Sequence, residues 1–230
     1  MKTIKQILRI FTGSTLLVTG LAAAAPIFTP DSQPTGWISA PALTFTTLNS
    51  GTESFYQTDF NKGAWWGNVL AMDIDPYAVV LTTGPWDGAD PTATTAASLL
   101  GLLDYSSGRK IATFGGAFRW VNMTTDEQTA LGSEDVLNFI RGDRSNEEPD
   151  GLSLRKRDQV LGDILHANLV FWNHGSSQSI YVGANDGMLH SFDADTGQEN
   201  WAYVPSMLIP KLNKLAKKPY IHTHFVDGPI

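Results

Sequence analysis

Apolar residues in this chain come in short runs, and turn residues separate them. The clearest case is YVGANDGMLHSFDADTGQENWAYVP, residues 181–205. An apolar run meets Gly-Ala-Asn-Asp-Gly, resumes as Met-Leu-His-Ser-Phe-Asp, breaks at Ala-Asp-Thr-Gly, and resumes through Trp201 and Tyr203. Asn/Asp-Gly pairs favour tight turns because glycine takes positive φ freely, so this stretch predicts strand, turn, strand, turn, strand. In WWGNVLAMDID (65–75), Gly67, Val69 and Ala71 alternate with Asn68, Leu70 and Met72, which suits a strand buried on both faces. Across the Asp75-Pro76 turn, the β-branched run AVVLTT (78–83) predicts the second arm of a hairpin. GRKIATF (108–114) and GAFRWVNM (116–123) predict two more short strands.

Helical signals are fewer. An Ala/Leu-rich run inside WDGADPTATTAASLLGLLD (86–104) predicts a short helix. In TTDEQTALGSEDVLNFIRG (124–142), Thr124 or Thr125 caps a helix with acids in its first turn and Leu131 on its apolar side. Ser133 then caps a second short helix carrying Val136, Leu137 and Ile140, stopped by Gly142. DRSNEEPDGLSLRKRD (143–158) reads as a charged loop, and the apolar run 160–172 follows it. From Pro205 the pattern predicts a short basic helix and then a strand carrying His222 and His224 to Ile230. Residues 26–50, rich in Pro, Thr and Ser, read as an extended arm or early edge strands.

Two features of composition change this picture. Lys2, Lys5 and Arg9 precede an apolar stretch from Ile10 to Leu21 and a run of alanines, the three-part pattern of a signal peptide cleaved near Ala24. The mature chain is therefore expected to be exported, without a transmembrane segment. There are no cysteines to staple it, so stability must come from packing, a metal or contacts beyond the chain. Losing the three basic residues of the leader takes the formal charge from −7 to −10. Such an acidic surface argues against nucleic acid, whose phosphates need a basic face.

Recurrent short strands with turns between them favour a sandwich, barrel or propeller. The pattern Asp-Gly-x-Leu-x-x-x-Asp-x-x-Thr-Gly-x-x-x-Trp, residues 186–201, matches the course of one propeller blade, with Gly183, Asp186, Gly187, Asp193 and Gly197 at its turns and Trp201 packing between neighbouring blades. That pattern is shared by quinoprotein alcohol dehydrogenase-like propellers. Its company is narrower. The patches FNKGAWWGNVLAMDID, GRKIATF, VLNFIRGD, LRKRDQVLGDILHANLVFW, IYVGANDGMLHSFDADTGQENWAYVP and HTHFVDGPI run in the order seen in the C-terminal propeller of the PilY family, type IV pilus biogenesis proteins. The chain resembles that family from Phe60 to Ile230.

The resemblance implies a mainly β fold: a partial β-propeller with short helical insertions. It divides the chain into a signal peptide (1–24), an extended arm (25–55) and an incomplete propeller domain (56–230) truncated at its C-terminus. It implies a non-enzymatic protein that supports pilus assembly and opposes retraction. Its partners would be minor pilins at the pilus tip and, through adhesion, host or abiotic surfaces. Calcium in this family belongs to a loop of alternating Asp and Asn ligands. No D-x-[DN]-x-[DN] run stands here, so a calcium site is expected beyond Ile230 and no cofactor within the chain.

The remaining chemistry-bearing residues read mostly as structural. Asp186-Gly187 and Asp193 to Gly197 are turn formers before they are ligands. His222 and His224, two apart on the expected strand, could hold a transition metal, but without a third ligand nearby in sequence they read as surface histidines. His166 and His190 lie in apolar runs and read as core or seam histidines with one satisfied hydrogen bond. LRKRD, bracketed by acids, reads as local pairing on a solvated arm. Asn122-Met123-Thr124 matches a glycosylation acceptor, discounted by the bacterial context that the resemblance implies. No catalytic, cofactor or metal residue is assigned. The alternatives are a quinone-dependent (PQQ) dehydrogenase, disfavoured by the missing cysteines and acid–base constellation, and an outer-membrane assembly scaffold propeller.

Overall fold

The computed structural model describes residues 42–43, 53–74, 86, 95–148 and 154–230, all within the unit Gly36–Ile230. The leader, most of the arm, the run 78–83 and its turn at Asp75-Pro76 lie outside these residues. The described residues are mainly β, arranged in two sheets.

The smaller sheet contains β1 (Ala42–Leu43), β2 (Glu53–Asn61) and β3 (Trp66–Ile74), antiparallel and in that order. β3 is the strand expected over 65–75. Its partner β2 pairs Asn61 with Trp66 at the hairpin end and begins among the residues expected to form the arm. Tyr56, Thr58 and Phe60 all face inward and are buried, a period-2 pattern with a threonine in an apolar place.

The larger sheet contains β4 (Ile111–Thr113), β5 (Gly116–Ala117), β6 (Val170–Asn173), β7 (Gln178–Gly183), β8 (Leu189–Asp193) and β9 (Glu199–Tyr203). Its order is β5-β4-β9-β8-β7-β6. β6 to β9 form an antiparallel meander, each strand beside the next, and β7, β8 and β9 are the three strands expected from 181–205. β4 joins it by pairing parallel to β9. The strand expected over 116–123 is cut short: after β5 the chain turns through a 3-10 segment, Trp120–Asn122.

Three helices follow their local signals. α1 (Ala96–Leu102) is capped by Thr95. α2 (Thr125–Leu131) starts with a capping box, in which the Thr124 hydroxyl accepts from the Glu127 N–H while the Glu127 carboxylate accepts from the Thr124 N–H. α3 (Glu134–Arg141) is capped by Ser133 and ends at Gly142, whose φ is +120°. The basic helix expected after Pro205 is a 3-10 segment, Ser206–Ala216, with Pro210 inside it, where proline forbids the regular α-helical ladder. The expected terminal strand is absent among the described residues: 217–230 is irregular. Side chains take over its backbone bonding, since the Phe225 N–H donates to Asn185 Oδ1 at 2.9 Å.

One row of the larger sheet organises the interior. Val182 pairs with His190, His190 with Ala202, and Ala202 with Ile111, so all four share a face. At one end, Val182, Ile180 and Phe192 meet Tyr56, Val69, Trp86, Leu100 and Ile164. At the other, Ile111 and Ala202 meet Phe118, Leu131, Leu137, Ile140 and Leu212. His190 stands between these two cores. The opposite face of the sheet carries Trp172, Tyr181, Ser191 and Trp201.

Candidate functional site

The boundary between the cores is ionic. Asp186, in the β7–β8 turn, and Glu199, at the start of β9, reach His190 from opposite sides. His190 Nδ1 lies 2.9 Å from Glu199 Oε1, and Nε2 lies 3.1 Å from both Asp186 oxygens. Carboxylates only accept, so both ring nitrogens donate and the imidazole is an imidazolium. Arg109, just before β4, closes the group with a two-point grip on Glu199: Nε to Oε2 at 2.8 Å and Nη2 to Oε1 at 2.7 Å. Its Nη1 donates to the Arg141 carbonyl at 2.8 Å. The four charges sum to zero.

Burial sets the stakes. Burial alone would lower the His190 pKa, but the Asp186 and Glu199 carboxylates outweigh it and raise it to about 9. Burial alone would raise Glu199, but Arg109 and His190 outweigh it and hold the carboxyl down at about 2. Asp186 is held below the ordinary carboxylate range in the same way, mainly by His190 against its own burial. These groups partner one another in a largely buried space, each charge compensated by its neighbours.

The Asn185–Asp186 turn connects this quartet to the molecular edge. Asp186 Oδ2 accepts from the Gly162 N–H at 3.1 Å, and a side chain on Gly162 would bring Cβ within 2.2 Å of the Asp186 nitrogen. Only glycine permits that approach. Asn185 Nδ2 donates to Asp163 Oδ2 at 2.8 Å, and His222 Nε2 meets the same oxygen at 2.9 Å. The His222 ring stacks on Trp65, centroids 3.7 Å apart. Trp65 itself takes φ +54°, an uncommon conformation for a bulky residue.

Beside this lies a second histidine group. Asp227 Oδ2 is 2.7 Å from His166 Nδ1 and 2.6 Å from His224 Nδ1, and Asp227 Oδ1 accepts from the His166 backbone N–H at 3.0 Å. Burial would raise the Asp227 pKa, but the hydrogen bonds from His166 and the nearby imidazoles hold it below the ordinary range. These three residues place one potential ligand atom each within 4.8 Å of the others. His166 is therefore no core histidine: it belongs to an irregular segment, and its side chain is 69 % exposed.

The residues singled out in the sequence fall along β7 to β9. Gly183 ends β7 where the Val226 backbone packs against it. Gly187 and Gly197 take φ +95° and +73°, as tight turns require. Asp193 Oδ1 accepts from the N–H groups of Asp195 and Thr196 and from the Thr196 hydroxyl. Asp186 does more than turn the chain, as the quartet shows. Trp201 points to the outer face beside Tyr181 and is 38 % exposed, while its neighbour Ala202 takes the inner place. Among the described residues the buried indole is Trp86, 1 % exposed and packed over Gly197. Its Nε1 and the Tyr56 hydroxyl both donate to the Ala194 carbonyl at 3.0 Å.

The LRKRD segment also departs from a solvated arm. Arg157 is buried in a 2.7 Å ion pair with Glu147 and lies over the Phe139 ring, and Arg155 lies over Tyr220. The pairing with the preceding acidic run is as expected; its burial is not. Arg109 carries no local signal in the sequence, because its partner stands 90 residues away. The His190 spacings, four residues to Asp186 and nine to Glu199, offered the one local signal.

Among the described residues, no helix is long and apolar enough to cross a membrane. No protein-family model and no solved structure matches the chain. Curated sequences do. The chain is 30 % identical over 204 residues to a "Type IV pilus biogenesis factor PilY1 homolog" of Xylella fastidiosa, covering 76 % of this chain and 16 % of that protein. It is 30 % identical over 224 residues to the "Type IV pilus biogenesis factor PilY1" of Pseudomonas aeruginosa strain PAK, covering 77 % of this chain and 18 % of that protein. The chain thus spans less than a fifth of the length of these relatives. Through a similarity that covers about three quarters of its own length, the chain belongs to the PilY family.

Proposed function

We propose that this chain is part of a type IV pilus biogenesis factor that works through its surfaces and not through catalysis. The observation that carries this reading is the 30 % identity, over three quarters of the chain, to proteins named for that role. The antiparallel meander β6 to β9, with tight turns at Asp186-Gly187 and Asp193 to Gly197, supports reading residues 170–203 as one blade of a propeller. The mutual pairing of Arg109, Glu199, His190 and Asp186 supports the non-enzymatic part, since these buried charged groups are engaged with one another.

In this reading the protein is exported, docks with minor pilins at the pilus tip, favours assembly over retraction, and contributes adhesion to host or abiotic surfaces. The experiment is deletion and complementation of the gene in its own host, with surface pili counted by electron microscopy and twitching measured as colony spread. Loss of both, restored by the intact gene, is expected. Unchanged piliation and twitching in the deletion strain would overturn the pilus role. Quinone-dependent dye reduction by the purified protein would overturn the non-enzymatic one.

A further inference from the structure

The group formed by His166, His224 and Asp227 has the composition and placement of a metal site. Its donors are two imidazole nitrogens and one carboxylate oxygen, converging within 4.8 Å. The two imidazoles are open to solvent, 69 % and 56 % exposed, while Asp227 is nearly buried. The carboxylate is therefore the fixed member of the set, and its second oxygen is tied to the His166 backbone N–H at 3.0 Å. Such anchoring of a ligand by an outer hydrogen bond is what metal sites use to hold orientation.

Geometry allows an ion to enter. The Nδ1 atoms of both histidines now sit at hydrogen-bond distance from Asp227 Oδ2, 2.7 and 2.6 Å. In a tetrahedral zinc site, with metal–ligand bonds of about 2.0–2.2 Å, neighbouring donors stand roughly 3.3 Å apart. Each imidazole nitrogen must draw back from the carboxylate oxygen by about 0.6 Å, and the exposed rings are free to move while the carboxylate stays put.

We propose that His166, His224 and Asp227 bind a divalent transition ion of the zinc class, with solvent in the fourth position. The donor set decides the class: imidazole favours zinc, copper or nickel, whereas calcium and magnesium want an all-oxygen cage. His222 stays outside the set because its Nε2 is engaged by Asp163 and its ring is stacked on Trp65. The ion would clamp the irregular C-terminal segment to the segment after Gly162.

The test is zinc titration of the purified full chain against a chromophoric chelator, with cobalt as a spectroscopic probe. One zinc per chain is expected, together with the visible absorption of four-coordinate cobalt. His166→Ala and His224→Ala should each weaken zinc binding by at least about tenfold, the scale on which metal-site substitutions act. His222→Ala should bind zinc like the parent. Zinc should raise the melting temperature of the parent in a concentration-dependent way and leave His224→Ala unmoved. Both test substitutions truncate exposed rings, and melting without metal checks that they leave the fold intact. If zinc does not bind at one per chain, or if His166→Ala and His224→Ala bind it as the parent does, the site is overturned. Loss of binding in His222→Ala alone would equally overturn it and point to the Asp163 side.

Discussion

At the residue scale, His190 is where polarity and packing meet. It sits in the row that joins the two cores and carries a positive charge between two carboxylates, with Arg109 behind one of them. His190→Ala would take from the buried Asp186 and Glu199 carboxylates the cation they share, leaving Asp186 only its backbone donors and Glu199 only Arg109, and a loss of about 3–5 kcal/mol in urea-unfolding free energy is expected. The pH dependence has a definite sign. The folded pKa of His190, about 9, exceeds its ordinary 6.5, so its contribution is fully present below about pH 6.5 and is lost as pH rises through 9. Glu199 is lowered from 4.5 to about 2, so its contribution is present above about pH 4.5 and is lost as pH falls through 2. The alkaline loss should flatten in His190→Gln, which has no proton to give up there. The two tryptophans are a second comparison. Trp86→Ala removes a buried, hydrogen-bonded indole and should destabilise by about 3–5 kcal/mol, whereas Trp201→Ala, on the outer face, should remain near 1 kcal/mol. Equal losses would show that the outer face is covered in solution.

At the element scale, legibility follows the range of the interaction. The helices of residues 124–142 were readable because a cap, a first-turn acid and a terminal glycine act within a few residues. Thr124→Ala removes the hydroxyl of the capping box and should cost about 1 kcal/mol, measured as a lower unfolding midpoint at unchanged slope. The turns of β7 to β9 were equally local. β2 is hard to read because Thr58 fills an apolar slot between Tyr56 and Phe60, which hides the alternation. The phase of β9 is not legible, because a strand has two faces: Trp201, expected between blades, stands on the outer face, and Ala202 faces the packed helices. The convergence of His166 with His224 and Asp227 depends on two irregular segments, in which the His166 N–H is taken by Asp227 and the Phe225 N–H by Asn185, and no periodicity announces that.

At the scale of the whole described unit, the two cores share one sheet. β8 supplies Phe192 to one core and β9 supplies Ala202 to the other, and the two stand on neighbouring strands of the same face. Heat or urea should therefore melt them together, and Trp86→Ala and Leu137→Ala, in different cores, should each shift a single coincident transition seen by fluorescence and circular dichroism. Two separated transitions would mean that the cores are independent. The parallel pairing of β4 with β9 adds a matter of timing. Arg109 stands 90 residues before Glu199, and closing a loop of that length costs the chain entropy before any contact rewards it. In refolding, the local meander β6 to β9 should therefore form first, and the edge of β4 should close on it last.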